Sequence, residues 1–224
     1  MSVIVIGGEK GGVGKSTLAI NVAAYLASKF SVILVDTDTQ RTAVKWDQLR
    51  TQFERPNNFT VVEKTVDPAP TIVQLASKYD VVIVDVGARD YARLSDLSRI
   101  ADLWIAPTRV GQGDLESTLD LAEAFNQIHA KHKAKQIPLC MLVNCVPGAW
   151  NSSEGEDAVK VLADAVPTGT VLKSIIRERR VWRDAHRLGA TIFEMPVKQS
   201  AKAQDEFAAV MKEALAVMKK GRAS

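Results

Sequence analysis

Gly7-Gly8-Glu9-Lys10-Gly11-Gly12-Val13-Gly14-Lys15-Ser16-Thr17 follows the apolar run Val3–Ile6 and leads into a stretch of helical apolar period. A β-branched run, glycines, Lys-Ser/Thr and then a helix is the context a phosphate-binding loop requires. Glycines let backbone N–H groups turn inward around phosphate oxygens where a Cβ would collide. Gly11, Gly12, Val13 and Gly14 are therefore expected to cradle phosphate, with Thr17 closing the motif. Lys15 is placed to reach the β- and γ-phosphates, and the Ser16 hydroxyl to ligate Mg²⁺. The helix opening near Lys15 points its positive end at the same anion.

Two residues depart from the G-x-x-x-x-G-K-[ST] pattern. Glu9 occupies the position of the first glycine, and Gly8 lies one residue earlier. Lys10 is a second lysine, placed ahead of the glycines. From there it reaches poorly to the phosphates that Lys15 holds, and better to a nucleotide bound by another copy of the chain.

Apolar runs recur at Val32–Val35, Phe59–Val62, Val81–Val84, Leu103–Ala106, Leu139–Val143 and Gly169–Leu172. Helical patterns near 15–28, 40–50, 69–77, 92–100, 115–132 and 155–165 separate them. Near-continuous apolar strands between helices imply an α/β fold: a mostly parallel twisted sheet with helices on both faces, three layers in all. On such sheets ligands bind beyond the carboxyl ends of the strands, where the glycine loop sits. No linker or repeat divides residues 1–224, so a single domain is expected.

The strand ends carry acids. Val32–Val35 runs into Asp36-Thr37-Asp38-Thr39-Gln40, where carboxylates at i and i+2 fall on one side of the chain. Val81–Val84 runs into Asp85-Val86-Gly87. An acid ending a buried apolar strand is the usual second-sphere Mg²⁺ holder of phosphate-loop ATPases, and Gly87 lets a backbone N–H approach the γ-phosphate.

Composition narrows the alternatives. Hydrophobic residues make up 46% of the chain, which excludes a disordered polymer. Cys140 and Cys145 lack C-x-x-C spacing, which speaks against disulfide, zinc or iron–sulfur chemistry. Neither a signal peptide nor an apolar run of membrane-spanning length is visible, so a cytoplasmic location is expected. The net charge of +3 is uneven: from Val171 onward there are twelve Lys/Arg against six Asp/Glu, and before it seventeen against twenty. Any polyanion partner belongs with the basic end. His129, His132 and His186 are expected on exposed helix faces, Trp104 and Trp182 in the core or an interface, and Trp150 facing solvent or a partner.

Lys10-Gly-Gly-Val-Gly-Lys-Ser-Thr17 resembles the deviant phosphate-binding motif of the ParA/MinD ATPases. In that family the early lysine contacts the partner subunit's phosphates in a nucleotide-sandwich homodimer. The resemblance therefore implies an ATPase using ATP and Mg²⁺, with Lys10, Lys15 and Asp38 in catalysis. Asp36-Thr-Asp-Thr-Gln40 resembles the family's D-x-D-P-Q motif, with Thr39 in place of proline, which loosens the turn. By that resemblance Asp38 orients the attacking water, while Asp36 joins Ser16 and Asp85 around the metal. Asn144 is implied against adenine, with a plain loop role equally open.

Beyond the nucleotide motifs, Trp46, Pro107–Asp114 and the segment from Arg179 to Glu194 resemble the small ParA partition proteins. The loop lies so near residue 1 that no N-terminal helix-turn-helix domain is expected. The resemblance implies a nucleoid-associated protein that binds nonspecific DNA and positions plasmid, chromosome or other cargo with a ParB-like partner. Arg177, Arg179, Arg180, Arg183 and Arg187 are the expected phosphate contacts, with Arg179, Arg183 and Arg187 on one helix face. The alternative is a MinD-like membrane-associated regulator, using the stripe Phe207, Met211, Leu215 and Met218. That stripe reads better as a face packed on the sheet.

Overall fold

The computed structural model describes residues 1–88, 91–132, 137–148 and 153–223; Trp150 lies outside the described residues. Seven parallel strands form one sheet: β1 (Ser2–Ile6), β2 (Val32–Asp36), β3 (Thr60–Glu63), β4 (Val81–Asp85), β5 (Leu103–Thr108), β6 (Leu139–Val143) and β7 (Thr170–Val171). Their order is β3-β2-β4-β1-β5-β6-β7. The helices are α1 (Lys15–Ala27), α2 (Thr42–Gln52), α3 (Pro68–Ala76), α4 (Tyr91–Ser98), α5 (Gln112–His132), α6 (Glu154–Ala165), α7 (Arg180–Arg187) and α8 (Val197–Ala223), with a 3₁₀ turn at Ile192–Glu194. The α/β three-layer architecture expected from the alternating pattern is the one observed.

Period-two alternation divides the core into two apolar layers. Ile4, Ile6, Leu34, Ile83, Ile105 and Leu142 face α1, α7 and α8. Val3, Val5, Ile33, Val35, Val82 and Val84 face the opposite way, toward α3, α4 and α5. Burial on both faces is why these strands read as unbroken apolar runs.

Topology places the site. From β1 the chain builds to one side through β2, β3 and β4, then crosses to β5 on the other side. The crevice at that reversal lies beyond the carboxyl end of β1, where the glycine loop emerges. The ladder pairs Asp85 with both Ile6 and Asp36, so the two strand-end acids leave the sheet side by side.

The C-terminal stripe is spent internally. Phe207 and Met211 of α8 are fully buried, and Leu215 and Met218 pack partly buried against the same core. Among the described residues, no helix is long and apolar enough to cross a membrane. Behind the loop a polar network ties α1 and α2 to the 3₁₀ turn. Arg50 of α2 is 2% exposed and donates to the carbonyls of Pro56 and Gly189 and to both Glu194 oxygens. Glu194 closes a capping box with Thr191, and Asn21 of α1 accepts the Ile192 N–H at 3.0 Å.

Candidate nucleotide site

Gly12 and Gly14 have φ of 74° and 90°, a region that side-chain-bearing residues rarely occupy. This bends the loop so that α1 begins at Lys15. Space beneath the loop is equally restrictive. A Cβ on Gly14 would stand 2.7 Å from Asn144 Nδ2, and one on Gly7 would stand 2.6 Å from the Trp104 ring. Trp104 also donates its indole N–H to the Gly7 carbonyl at 3.1 Å. Of the roles open to it, Trp104 therefore takes the core one, as the floor of the loop's first turn.

Lys15 is buried, with Nζ donating to the Lys10 carbonyl at 2.6 Å. Burial holds its pKa below the ordinary lysine value, while Asp85 and Asp38 pull it upward. Asp85 is fully buried, and burial drives its carboxyl to about 8 against the opposing pull of Ser16 and Lys15. The Ser16 hydroxyl is near enough to act on it, yet among the described residues no well-formed hydrogen bond reaches either Asp85 oxygen. A buried carboxylate in that state beside a serine hydroxyl fits a divalent cation. Among the described residues, no three His, Cys, Asp or Glu side chains converge as a self-sufficient metal site. Mg²⁺, which takes few protein ligands and completes its shell with phosphate oxygens and water, would fit these residues. Ser16 and Asp85 would hold it, and when bound it neutralises developing phosphate charge.

Asp36 has a different visible task. One oxygen accepts the Asp38 N–H at 3.1 Å, and the other accepts the N–H groups of Ala43 and Val44 at 2.9 and 3.1 Å. It caps the start of α2 and shapes the turn that presents Asp38. Burial still raises its pKa, despite those three donors. The turn is not slack without proline at position 39. Asp38 accepts the Gln40 N–H at 2.9 Å, and the Arg41 N–H bonds to the Asp38 carbonyl at 3.0 Å. The Asp38 carboxylate lies over Gly87, where a Cβ would stand 3.1 Å away.

Two adjoining cavities meet at Gly12, Gly14, Thr17 and Thr42. The first, about 590 Å³, is lined by Gly11, Lys15, Ser16, Asp38, Gln40 and Ala88, and suits phosphates. The second, about 510 Å³, is walled by Leu18, Cys145, Ile176, Trp182, His186 and several arginines. Its apolar floor and polar rim suit a nucleoside. Lys10 does not line the phosphate cavity; its Nζ lies 3.8 Å from where a Cβ on Gly113 would stand, at the start of α5.

Several expected roles change in detail. Asn144 donates Nδ2 to the Val13 carbonyl at 2.7 Å, so its amide props the loop from below, although it also edges the second cavity. Arg179 is not on a helix face with Arg183 and Arg187. It is the extended residue preceding α7, and its guanidinium pairs with Glu206. Arg177 pairs with Glu156 at 3.0 Å and Arg180 with Asp184 at 3.1 Å. Arg177, Arg179, Arg183 and Arg187 line the second cavity, and Arg180 does not.

His186 is half-buried in the cavity wall, and His129 packs against Phe125 with Nε2 accepting the Ile137 N–H. Neither lies on an exposed face as the helical pattern suggested. The His132 side chain lies outside the described residues. Arg109 after β5, Cys145 after β6, and Trp182 with His186 on α7 come from three separate stretches, and no local motif marks them as one wall.

Known proteins share this fold. The chain is 34% identical over 128 residues to the maintenance of carboxysome distribution protein A of Gloeobacter kilaueensis, spanning 57% of this chain and 55% of that one. It is 27% identical over 207 residues to a ParA protein of Rhizobium radiobacter, spanning 89% and 88%. In fold it superposes on a Cyanothece McdA variant bound to ATP with a TM-score of 0.74, at 17% identity and 96% coverage of each chain. The septum site-determining protein MinD of Pyrococcus horikoshii, complexed with Mg-ADP, gives 0.69 at 19% identity, covering 96% and 97%. The model of the CobQ/CobB/MinD/ParA nucleotide binding domain matches residues 4–192, and the chain belongs to that family of nucleotide-binding domains.

Proposed function

We propose that this chain is a ParA-type ATPase that closes around two ATP·Mg²⁺ as a homodimer and positions cargo on nonspecific DNA. The observation that carries the reading is the division between the two lysines. Lys15 lines its own phosphate cavity, whereas Lys10 stands outside it against α5. A cation that the site needs but does not supply to itself makes hydrolysis conditional on a second copy. Within one chain, Lys15 orients the phosphates, Asp38 aims a water and the Gly87 backbone faces the γ-position. The adenine would occupy the second cavity.

Phosphoryl transfer needs positioning and charge compensation, so such a site works as a timer coupled to assembly. The cargo is a plasmid, a chromosome or a protein assembly, as the ParA and carboxysome-distribution relatives suggest. A ParB-like or analogous partner would stimulate turnover. The exposed arginines of α7 would supply DNA phosphate contacts. The MinD-like alternative is less supported, because the α8 stripe it needs is packed against the core.

The test is binding to a random-sequence duplex with ADP, with ATP and with a non-hydrolysable ATP analogue. Binding confined to the triphosphate states is the expected result. Equal binding in all three states would overturn the reading. No binding by a confirmed dimer would move the test to anionic liposomes.

A further inference from the structure

One wall of the second cavity is built from the segment between β7 and α7, through Ile176, Arg177, Glu178 and Arg179. This connector carries no helix or strand of its own. It follows a two-residue strand and makes one isolated parallel bridge, Val146 to Arg177. Its inner edge is held by the Ile176 N–H to the Val143 carbonyl at 3.1 Å and the Glu178 N–H to the Val146 carbonyl at 2.7 Å.

Its outer edge is held by α8. Glu213 accepts the N–H groups of Lys173 and Ser174 at 2.8 and 3.0 Å. Glu206 accepts Arg179 Nε at 3.2 Å and Nη2 at 2.5 Å, and also the Arg177 N–H at 3.3 Å. The two acids lie seven residues apart, two helical turns, so both fall on the side of α8 that meets the connector. They are two of only six acids in the basic last quarter of the chain. The Glu206–Arg179 pair is forked and mostly shielded, with side chains 20% and 28% exposed, a geometry stronger and more directional than a surface pair.

We propose that Glu206 is a positioning residue for nucleotide binding, which through Arg179 fixes the connector and thereby the width of the cavity. This rests on the reading that the base of ATP occupies that cavity. A connector already ordered by α8 spares the nucleotide the cost of ordering it on binding. The triphosphate, held by the glycine loop on the far side of Thr17 and Thr42, does not depend on the pair.

The experiment measures affinity of the full chain for Mg·ATP and for inorganic tripolyphosphate by calorimetry. Glu206→Gln, isosteric and uncharged, is expected to weaken ATP about tenfold while leaving tripolyphosphate affinity unchanged and the chain folded. Arg179→Gln removes the same pair from the other side and keeps the test open if the first variant folds poorly. The double variant is expected to lose no more than the worse single one. Unchanged ATP affinity in Glu206→Gln, with wild type still preferring ATP to tripolyphosphate, overturns the positioning role and leaves the cavity reading standing. Equal loss for both ligands also overturns it, because the effect is then general damage. Wild type binding tripolyphosphate as tightly as ATP overturns the cavity reading itself.

Discussion

At the scale of single residues, two lysines in one loop have opposite surroundings, and so predict opposite phenotypes. Lys15 is buried, faces Asp38 and Asp85 electrostatically and lines the phosphate cavity. Lys15→Ala is expected to weaken ATP by about 100-fold or more, since a buried charge-assisted contact to phosphate is lost. Lys10→Ala leaves that contact intact, so ATP should bind within about threefold of wild type while ATP-dependent dimers and turnover disappear. Light scattering with ATP and a phosphate-release assay separate the two variants. Normal dimers and turnover in Lys10→Ala would sink the in-trans role.

Asp38 gives the third prediction. Its carboxylate is fastened by the Gln40 N–H over Gly87, so Asp38→Ala is expected to slow hydrolysis by about 10²–10³ and to accumulate the ATP-bound dimer. Turnover at the wild-type rate would remove Asp38 from the water-aiming role. These residues were legible in the sequence because their chemistry is local. A strand, glycines and a lysine within a dozen residues, or an acid ending an apolar strand, needs no knowledge of the rest of the chain.

At the scale of elements, the sequence was less transparent. The strands and most helices follow from periodicity, but the second cavity does not. Its walls come from the glycine loop with α1, the start of α2, the ends of β5 and β6, the connector after β7, and α7, brought together by the order of strands in the sheet. Asn144 illustrates the limit. An asparagine at a strand end reads equally as a base contact or a loop residue, and only the Val13 carbonyl 2.7 Å away shows that it supports the loop.

The network that joins α1, α2 and the 3₁₀ turn was likewise invisible, because Arg50 and Glu194 are 144 residues apart. It carries a pH prediction. Burial alone would raise the Glu194 carboxyl, but hydrogen bonds from Arg50 and Thr191 more than reverse this and leave its pKa below 4.5. Its stabilisation is therefore present above about pH 4.5 and lost as pH falls through the depressed value. Glu194→Gln leaves Arg50 buried without its counter-charge, and should cost about 2–4 kcal/mol at pH 7. The difference from wild type in urea midpoints should shrink steadily below pH 4.5. A difference independent of pH would place the stabilisation elsewhere.

At the scale of the whole molecule, the basic last quarter of the chain resolves into arginines with different obligations. Arg177 and Arg179 are engaged with Glu156 and Glu206, half-shielded inside the cavity wall. Arg183 and Arg187 are exposed and make no ion pair among the described residues, while Arg180 holds only an exposed i,i+4 pair with Asp184. An exposed pair of that kind is worth about 0–1 kcal/mol and exchanges readily for a phosphate. If a dimer presents Arg180, Arg183 and Arg187 twice, six phosphate contacts give a log–log salt slope of about −5 for duplex DNA. Removing one of the three subtracts two contacts per dimer and should flatten the slope by about 2.

Arg183→Ala is the cleaner choice, because it leaves the Arg180–Asp184 pair untouched. Its effect on DNA must be measured at saturating ATP, since Arg183 also edges the second cavity. A flattened slope with unchanged dimerisation assigns α7 to the DNA surface. An unchanged slope, with DNA still bound only in the ATP state, would move that surface to the lysines of α8 and leave α7 to the nucleotide alone.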